Sequence, residues 1–143
     1  MPLANNIDSV SGTISRDLPA RRVLVIDDSP LIRQAATIAL ERIAGFQVLT
    51  AGSAQDGLTI AERECPDAIL LDVVMPGMDG ITAARRLAAS ESTRIIPVVL
   101  LTAKDEAECR DLLEHVPTAG TIAKPFSVAG LGDQLRGLLG WPA

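Results

Sequence analysis

The chain has 143 residues, 48% of them hydrophobic, with a formal net charge of -5. That length and apolar fraction suit one domain with its own core and exclude a disordered tail or a two-domain protein. The acidic balance disfavours a self-sufficient nucleic-acid binder, which needs a basic face; Arg21 with Arg22 is too small a patch.

Residues 1–20, MPLANNIDSVSGTISRDLPA, read as a polar, mobile extension without the basic and apolar regions of a signal peptide. No apolar run reaches the length of a membrane span, so a cytoplasmic, reducing compartment is expected. Cys65 and Cys109 stand far apart without a CxxC pattern, and His115 is the sole histidine. Neither a disulfide framework nor a zinc site is suggested, and both cysteines are expected to be small buried hydrophobes.

From residue 21 to 140 five apolar runs, RVLVID, FQVLTA, DAILLD, IIPVVLL and GTIA, alternate with five helical patterns; residues 141–143 form a short tail. Continuous rather than alternating apolarity indicates strands covered on both faces. The expected fold is α/β, a doubly wound (βα)5 three-layer sandwich around a five-stranded parallel sheet. The first helix starts at Ser29 as cap with Pro30 in the first helical position, and Gly45 ends it. A second helix spans about 54–64 and stops before Cys65-Pro66, and a third runs about 81–89 after the Met78-Asp79-Gly80 turn. Asp105 is the expected cap of a fourth. The fifth, SVAGLGDQLRGLLG, places Val128, Leu131, Leu135 and Leu138 at helical spacing but carries Gly130, Gly132 and Gly137, each costing roughly 1 kcal/mol against alanine. It is the expected softest element.

In an open parallel sheet, ligands bind at the carboxyl ends of the strands, where strand order reverses. Strand one delivers Asp27 and Asp28 there, strand three Asp72, strand four Thr102, and strand five Lys124. Singly, each has a plain structural reading: the aspartate pair as turn formers, Thr102 as the start of a turn, Lys124 as a surface lysine. Asp72 resists one, because it lies between the apolar stretches 68–71 and 73–74 with no local partner. Together, three acids, a hydroxyl and an amine at one rim make coincidence the weaker account. Crowded carboxylates repel, and oxygen-rich acidic sites suit Mg²⁺. With Mg²⁺ and Lys124 the site approaches neutrality, can receive a phosphoryl anion, and lets the Asp72 carboxylate act as nucleophile.

The motifs VLVIDDSP, LLDVVMPGMDG, VVLLTA and AKPF, in this order over about residues 22–139, resemble the receiver domain of two-component response regulators, a CheY-like, flavodoxin-like fold. The resemblance implies that Asp72 is the phosphoacceptor, that Asp28, Asp72 and the Val74 carbonyl ligate Mg²⁺, and that Asp27 acts through a metal-bound water. It further implies that Thr102 holds a phosphoryl oxygen, that Lys124 pairs with the phosphoryl group, and that Lys124-Pro125 is a cis peptide. The implied donor is a sensor histidine kinase or histidine phosphotransfer protein, docking near the start of the first helix and the loop at Pro125 and Phe126. His115 is not the expected donor. With no effector domain after the fifth helix, a stand-alone regulator with an unknown downstream protein partner is expected, without direct nucleic-acid or membrane contact; a phosphorylation-dependent homodimer stays open.

Two departures stand out. Thr121 occupies the position where receivers carry Tyr or Phe, removing the aromatic half of the usual switch, and Pro117-Thr118 replaces a common Gly-Ala pair. These motivate an alternative, a phosphorylation-independent interaction scaffold of the same fold. Two further readings fare worse. An aspartate-nucleophile phosphatase of the haloacid dehalogenase type needs DxD, whereas position 74 is Val; the chain is therefore expected to turn over no external substrate. An FMN-binding flavodoxin needs a phosphate-cradling loop where Asp27-Asp28 would repel phosphate, and the chain has no Tyr.

Overall fold

Strand β1 (Arg22–Ile26) lies between β2 (Gln47–Ala51) and β3 (Ala68–Asp72), with β4 (Val98–Ala103) and β5 (Gly120–Lys124) continuing outward from β3 in a computed structural model that describes residues 20–103 and 115–142. The order β2-β1-β3-β4-β5 is parallel throughout. Because β2 and β3 flank β1 on opposite sides, the chain reverses its direction of winding at the β1/β3 pair. A crevice opens there at the carboxyl ends of those two strands.

Helices cover both faces, as the unbroken apolar strands require. Leu24, Ile26, Ile69, Leu71, Val98 and Leu100 pack against Ala54 and Ala61 of α2 (Ala54–Glu64) and Ile81, Ala84 and Leu87 of α3 (Gly80–Ala89). The alternate positions Val23, Val25, Leu70, Val99, Leu101 and Ile122 face Ala36 of α1 (Pro30–Thr37), Ala39 and Leu40 of the helical turn that continues it, and Leu131 and Leu135 of α4 (Leu131–Leu139). The period-two alternation of strand side chains thus builds two cores from one continuous apolar run. No helix among the described residues is long and apolar enough to cross a membrane.

Helix starts follow their caps. Ser29 accepts from the Ile32 N–H ahead of α1 (Pro30–Thr37), Ser53 from Asp56, and Asp79 from Thr82 at 2.7 Å. Helix α1 does not run regularly to Gly45: residues Ile38–Ile43 form a π-helical turn, with the Ala44 N–H donating to Ala39 O. The wider turn brings the Ala44 carbonyl to Arg136 of α4, whose Nη2 donates to it at 2.7 Å. At the same contact a Cβ on Gly132 would stand 2.5 Å from the Ala44 Cβ, so this glycine permits helix packing that any larger residue would block. Trp141 packs edge-on to Phe46 at 5.5 Å, with the Arg21 guanidinium over its ring.

Several expectations are corrected. The fourth apolar run becomes strand only at Val98, since Ser90–Ile96 is tied into turns and Ile95 is left 84% exposed. Cys65 is exposed rather than buried, because it occupies the left-handed cap of α2 at φ 47°, which turns its side chain outward. Leu131 and Leu135 carry the α4 contact; Val128 is exposed because the helix begins only at Leu131, and Leu138, 39% exposed, sits at the sheet edge against Gly120. The predicted fourth helix with its Asp105 cap, Cys109, and the N-terminal extension up to residue 19 lie outside the described residues.

Candidate functional site

The register of the sheet brings the polar residues to one rim. Asp72 ends β3 opposite Leu101, and Thr102 stands one position further along β4, opposite Ala123. Lys124 ends β5, and Asp27 and Asp28 follow β1 directly. Carboxylate oxygens of Asp27, Asp28 and Asp72 lie within 4.8 Å of one another. The Lys124 Nζ sits 3.0 Å from Asp72 Oδ1 and 3.1 Å from Asp27 Oδ2. Asp27 and Asp72 are buried, whereas Asp28 is exposed.

Backbone donors complete the arrangement. The Ser29 N–H donates to Asp27 Oδ1 at 2.9 Å and the Val74 N–H to Asp72 Oδ1 at 3.4 Å. Both contacts to the Asp72 carboxylate among the described residues, from the Val74 N–H and the Lys124 ammonium, fall on Oδ1. Helix α3 approaches from below: the Gly80 N–H donates to Val73 O at 2.8 Å, and a Cβ on Gly80 would fall 2.1 Å from the Asp72 carbonyl oxygen. Only glycine allows that approach.

One ammonium, paired with Asp27 and Asp72 in a cluster of three carboxylates, leaves the cluster short of positive charge. Burial raises the Asp72 pKa above the ordinary aspartate value; the Lys124 hydrogen bond pulls it down, and the Asp27 charge pushes it up again, with a net rise. Burial works against the Lys124 ammonium, but its hydrogen bonds to Asp72 and Asp27 and their charges outweigh that, and its pKa rises above the ordinary lysine value. A hard divalent cation fits this donor set: three carboxylates close enough to share one ion, one of them exposed to solvent, and an excess of negative charge to neutralise.

Each residue singled out from the sequence has a definite place. Asp27, Asp28, Asp72 and Lys124 converge. Thr102 is half-buried at the same rim, and the Val74 side chain points to solvent, 63% exposed, with its backbone beside Asp72. The Lys124-Pro125 peptide is cis. Thr121 is exposed on β5, and His115 is exposed. Two contributors went unread in the sequence. Arg33 on α1 donates from Nη1 to the Asp27 carbonyl at 2.7 Å, and Gly80 admits α3. Spacing could have found Arg33, since a residue six positions beyond Asp27 on a helix capped by Ser29 returns toward the loop.

A family model described as "Response regulator receiver domain" matches residues 23–136. Protein PilH of Pseudomonas aeruginosa is 44% identical over 59% of this chain and 69% of its own length. The phosphate regulon transcriptional regulatory protein PhoB of the same species is 38% identical over 83% of this chain, which spans about half of that regulator, 52%. Among solved structures, chemotaxis protein CheY4 of Vibrio cholerae superposes with a TM-score of 0.77 at 29% identity, covering 83% of this chain and 98% of that one. The receiver domain of a sensor histidine kinase from Pseudomonas aeruginosa, solved with a magnesium ion coordinated in its active-site cleft, gives 0.76 at 29% identity over 85% and 98%.

Proposed function

Because the chain belongs to the response regulator receiver domain family, we propose that it accepts a phosphoryl group on Asp72 from a histidine kinase or phosphotransfer protein and passes the signal on through protein contacts. The observation that carries the reading is the Lys124 ammonium bridging Asp27 and Asp72 beside Asp28. In this reading Asp28, Asp72 and the Val74 carbonyl would hold Mg²⁺, with Asp27 in support, and the ion when bound would supply charge neutralisation for the phosphoryl oxygens.

The protein's own residues do the rest. Asp72 Oδ2 forms the bond to phosphorus as the bond from phosphorus to the donor breaks and the donor keeps the electron pair. Lys124, held at hydrogen-bond distance from Asp72, takes a phosphoryl oxygen, and the Thr102 hydroxyl takes another. Buried Asp27 keeps the ammonium aimed at the crevice through its 3.1 Å contact. The reaction modifies the protein itself and turns over no external substrate. Leu31, 73% exposed on the first turn of α1, suits donor docking at this end of the helix. The acidic net charge argues for a protein rather than a nucleic acid as the direct downstream partner. An exposed free thiol at Cys65 suits a reducing, cytoplasmic setting.

Incubation with Mg²⁺ and acetyl phosphate, followed by intact mass, tests this. Wild type is expected to gain about 80 Da, the mass of one phosphoryl group carried by an acceptor side chain, and Asp72→Asn to gain none; no adduct, or an equal adduct in both, overturns the reading. Thr121, exposed where receivers carry an aromatic, favours a second reading in which the fold is a phosphorylation-independent scaffold. A downstream partner captured equally by phosphorylated protein and by Asp72→Asn would support it.

A further inference from the structure

We propose that Arg33 is a positioning residue for the acidic cluster: its guanidinium clamps the peptide between Asp27 and Asp28, holding the exposed Asp28 carboxylate toward Asp72 for a divalent cation. The inference rests on the metal reading above and goes beyond it by assigning a residue outside the cluster.

The Asp27 carbonyl belongs to the planar peptide that joins Asp27 to Asp28, so fixing that oxygen fixes the backbone entering Asp28. Arg33 Nη1 donates to it at 2.7 Å, a short, charge-assisted bond. On the far side of Asp28 the Ser29 N–H is tied to Asp27 Oδ1 at 2.9 Å, and the Asp27 N–H donates to Ala51 O at 3.1 Å. Asp28 is therefore held on both flanks while its own carboxylate stays exposed. Among the described residues Arg33 supplies the only side-chain donor to that peptide.

The guanidinium is itself held in place. The Arg33 N–H donates to Ser29 O at 3.0 Å, which roots the residue in the first turn of α1. The guanidinium then lies across Gly52 in the β2–α2 loop, where a Cβ would stand 3.2 Å from Nη1. The missing side chain at Gly52 makes the room. Arg33 thus joins the loops after β1 and β2 through one planar group.

Electrostatics alone predicts the opposite effect on metal binding, which makes the claim testable. An arginine near three acids repels a cation, so its removal by charge logic tightens binding; positioning predicts weakening. Mn²⁺ is titrated into the full-length protein with free ion read by electron paramagnetic resonance, for wild type, Arg33→Met and Gly52→Val, with thermal unfolding in EDTA as the check on folding. Arg33→Met is expected to weaken Mn²⁺ binding about ten-fold, the usual effect of losing a group that orients metal ligands. Gly52→Val keeps the charge but displaces the guanidinium, and is expected to weaken binding in the same direction, which a role confined to fold stability would not do. Affinity equal to or tighter than wild type in Arg33→Met, or unchanged in Gly52→Val should Arg33→Met not fold, overturns the inference. Wild type that binds no Mn²⁺ overturns the metal reading and this inference with it.

Discussion

The Lys124 Nζ lies 3.0 Å from Asp72 Oδ1, although the two residues end strands separated by β4. Lys124 reaches past the β4 rim to do so, and it touches Asp27 as well. The crevice at the β1/β3 switch is thus closed on its third side by a cation from the sheet's far edge.

Replacing Lys124 by Met should leave Asp27 and Asp72 buried without an ammonium. Removing one partner of a buried ion pair costs about 3–5 kcal/mol, and because the Lys124 side chain is 22% exposed we expect the lower part of that range or somewhat less, about 2–3 kcal/mol. Urea unfolding in EDTA measures it, and loss of acetyl phosphate-dependent labelling should accompany it.

The raised pKa of Asp72 sets a pH dependence. Burial and the Asp27 charge make the folded protein hold a proton on Asp72 more readily than the unfolded chain does. Folded protein then binds more protons than unfolded between the two values, so stability falls as pH rises through that window, starting near the ordinary 3.8. The penalty is complete above the folded value. Asp72→Asn removes it, so in EDTA this variant should be more stable than wild type at pH 7, and the difference should vanish by about pH 3. Urea midpoints across pH give the curve; a variant less stable at pH 7 contradicts it.

Metal should reverse that penalty. On the proposed reading, in which Mg²⁺ takes the folded cluster alone, the ion at one hundred times its dissociation constant should stabilise wild type by roughly 2.7 kcal/mol. Asp28→Asn, which removes the exposed carboxylate, should lose most of that gain while unfolding nearly as wild type in EDTA. Thermal scans with and without Mg²⁺ make the comparison.

Gly80→Ala tests the approach of α3 to the site. Its Cβ would meet the Asp72 carbonyl oxygen at 2.1 Å and Val73 Cα at 2.8 Å, both backbone atoms that cannot rotate away. Forcing α3 outward should cost about 2–3 kcal/mol, as overpacking typically does, and should lower the acetyl phosphate labelling rate by moving the Asp72 backbone. Denaturant unfolding and intact mass read the two effects.

The sequence by itself determined the layering, the helix cap at Ser29, and which residues reach the functional rim. Each of these follows from local chemistry: unbroken apolar runs must be covered on both faces, and a Ser before a helical pattern satisfies free N–H groups. Tertiary structure alone decided what the rim residues do to one another. The shared ammonium depends on β5 lying beside β4, the bond from Arg136 to the Ala44 carbonyl on the π-helical turn that follows α1, and the exposure of Cys65 on a left-handed cap. Arg33 and Gly80 stayed unread for the same reason. A charge on a helix and a glycine after a cap look ordinary until the neighbouring loop and strand stand within hydrogen-bond or van der Waals distance, and those distances are set by how each helix packs back onto the strand end that precedes it.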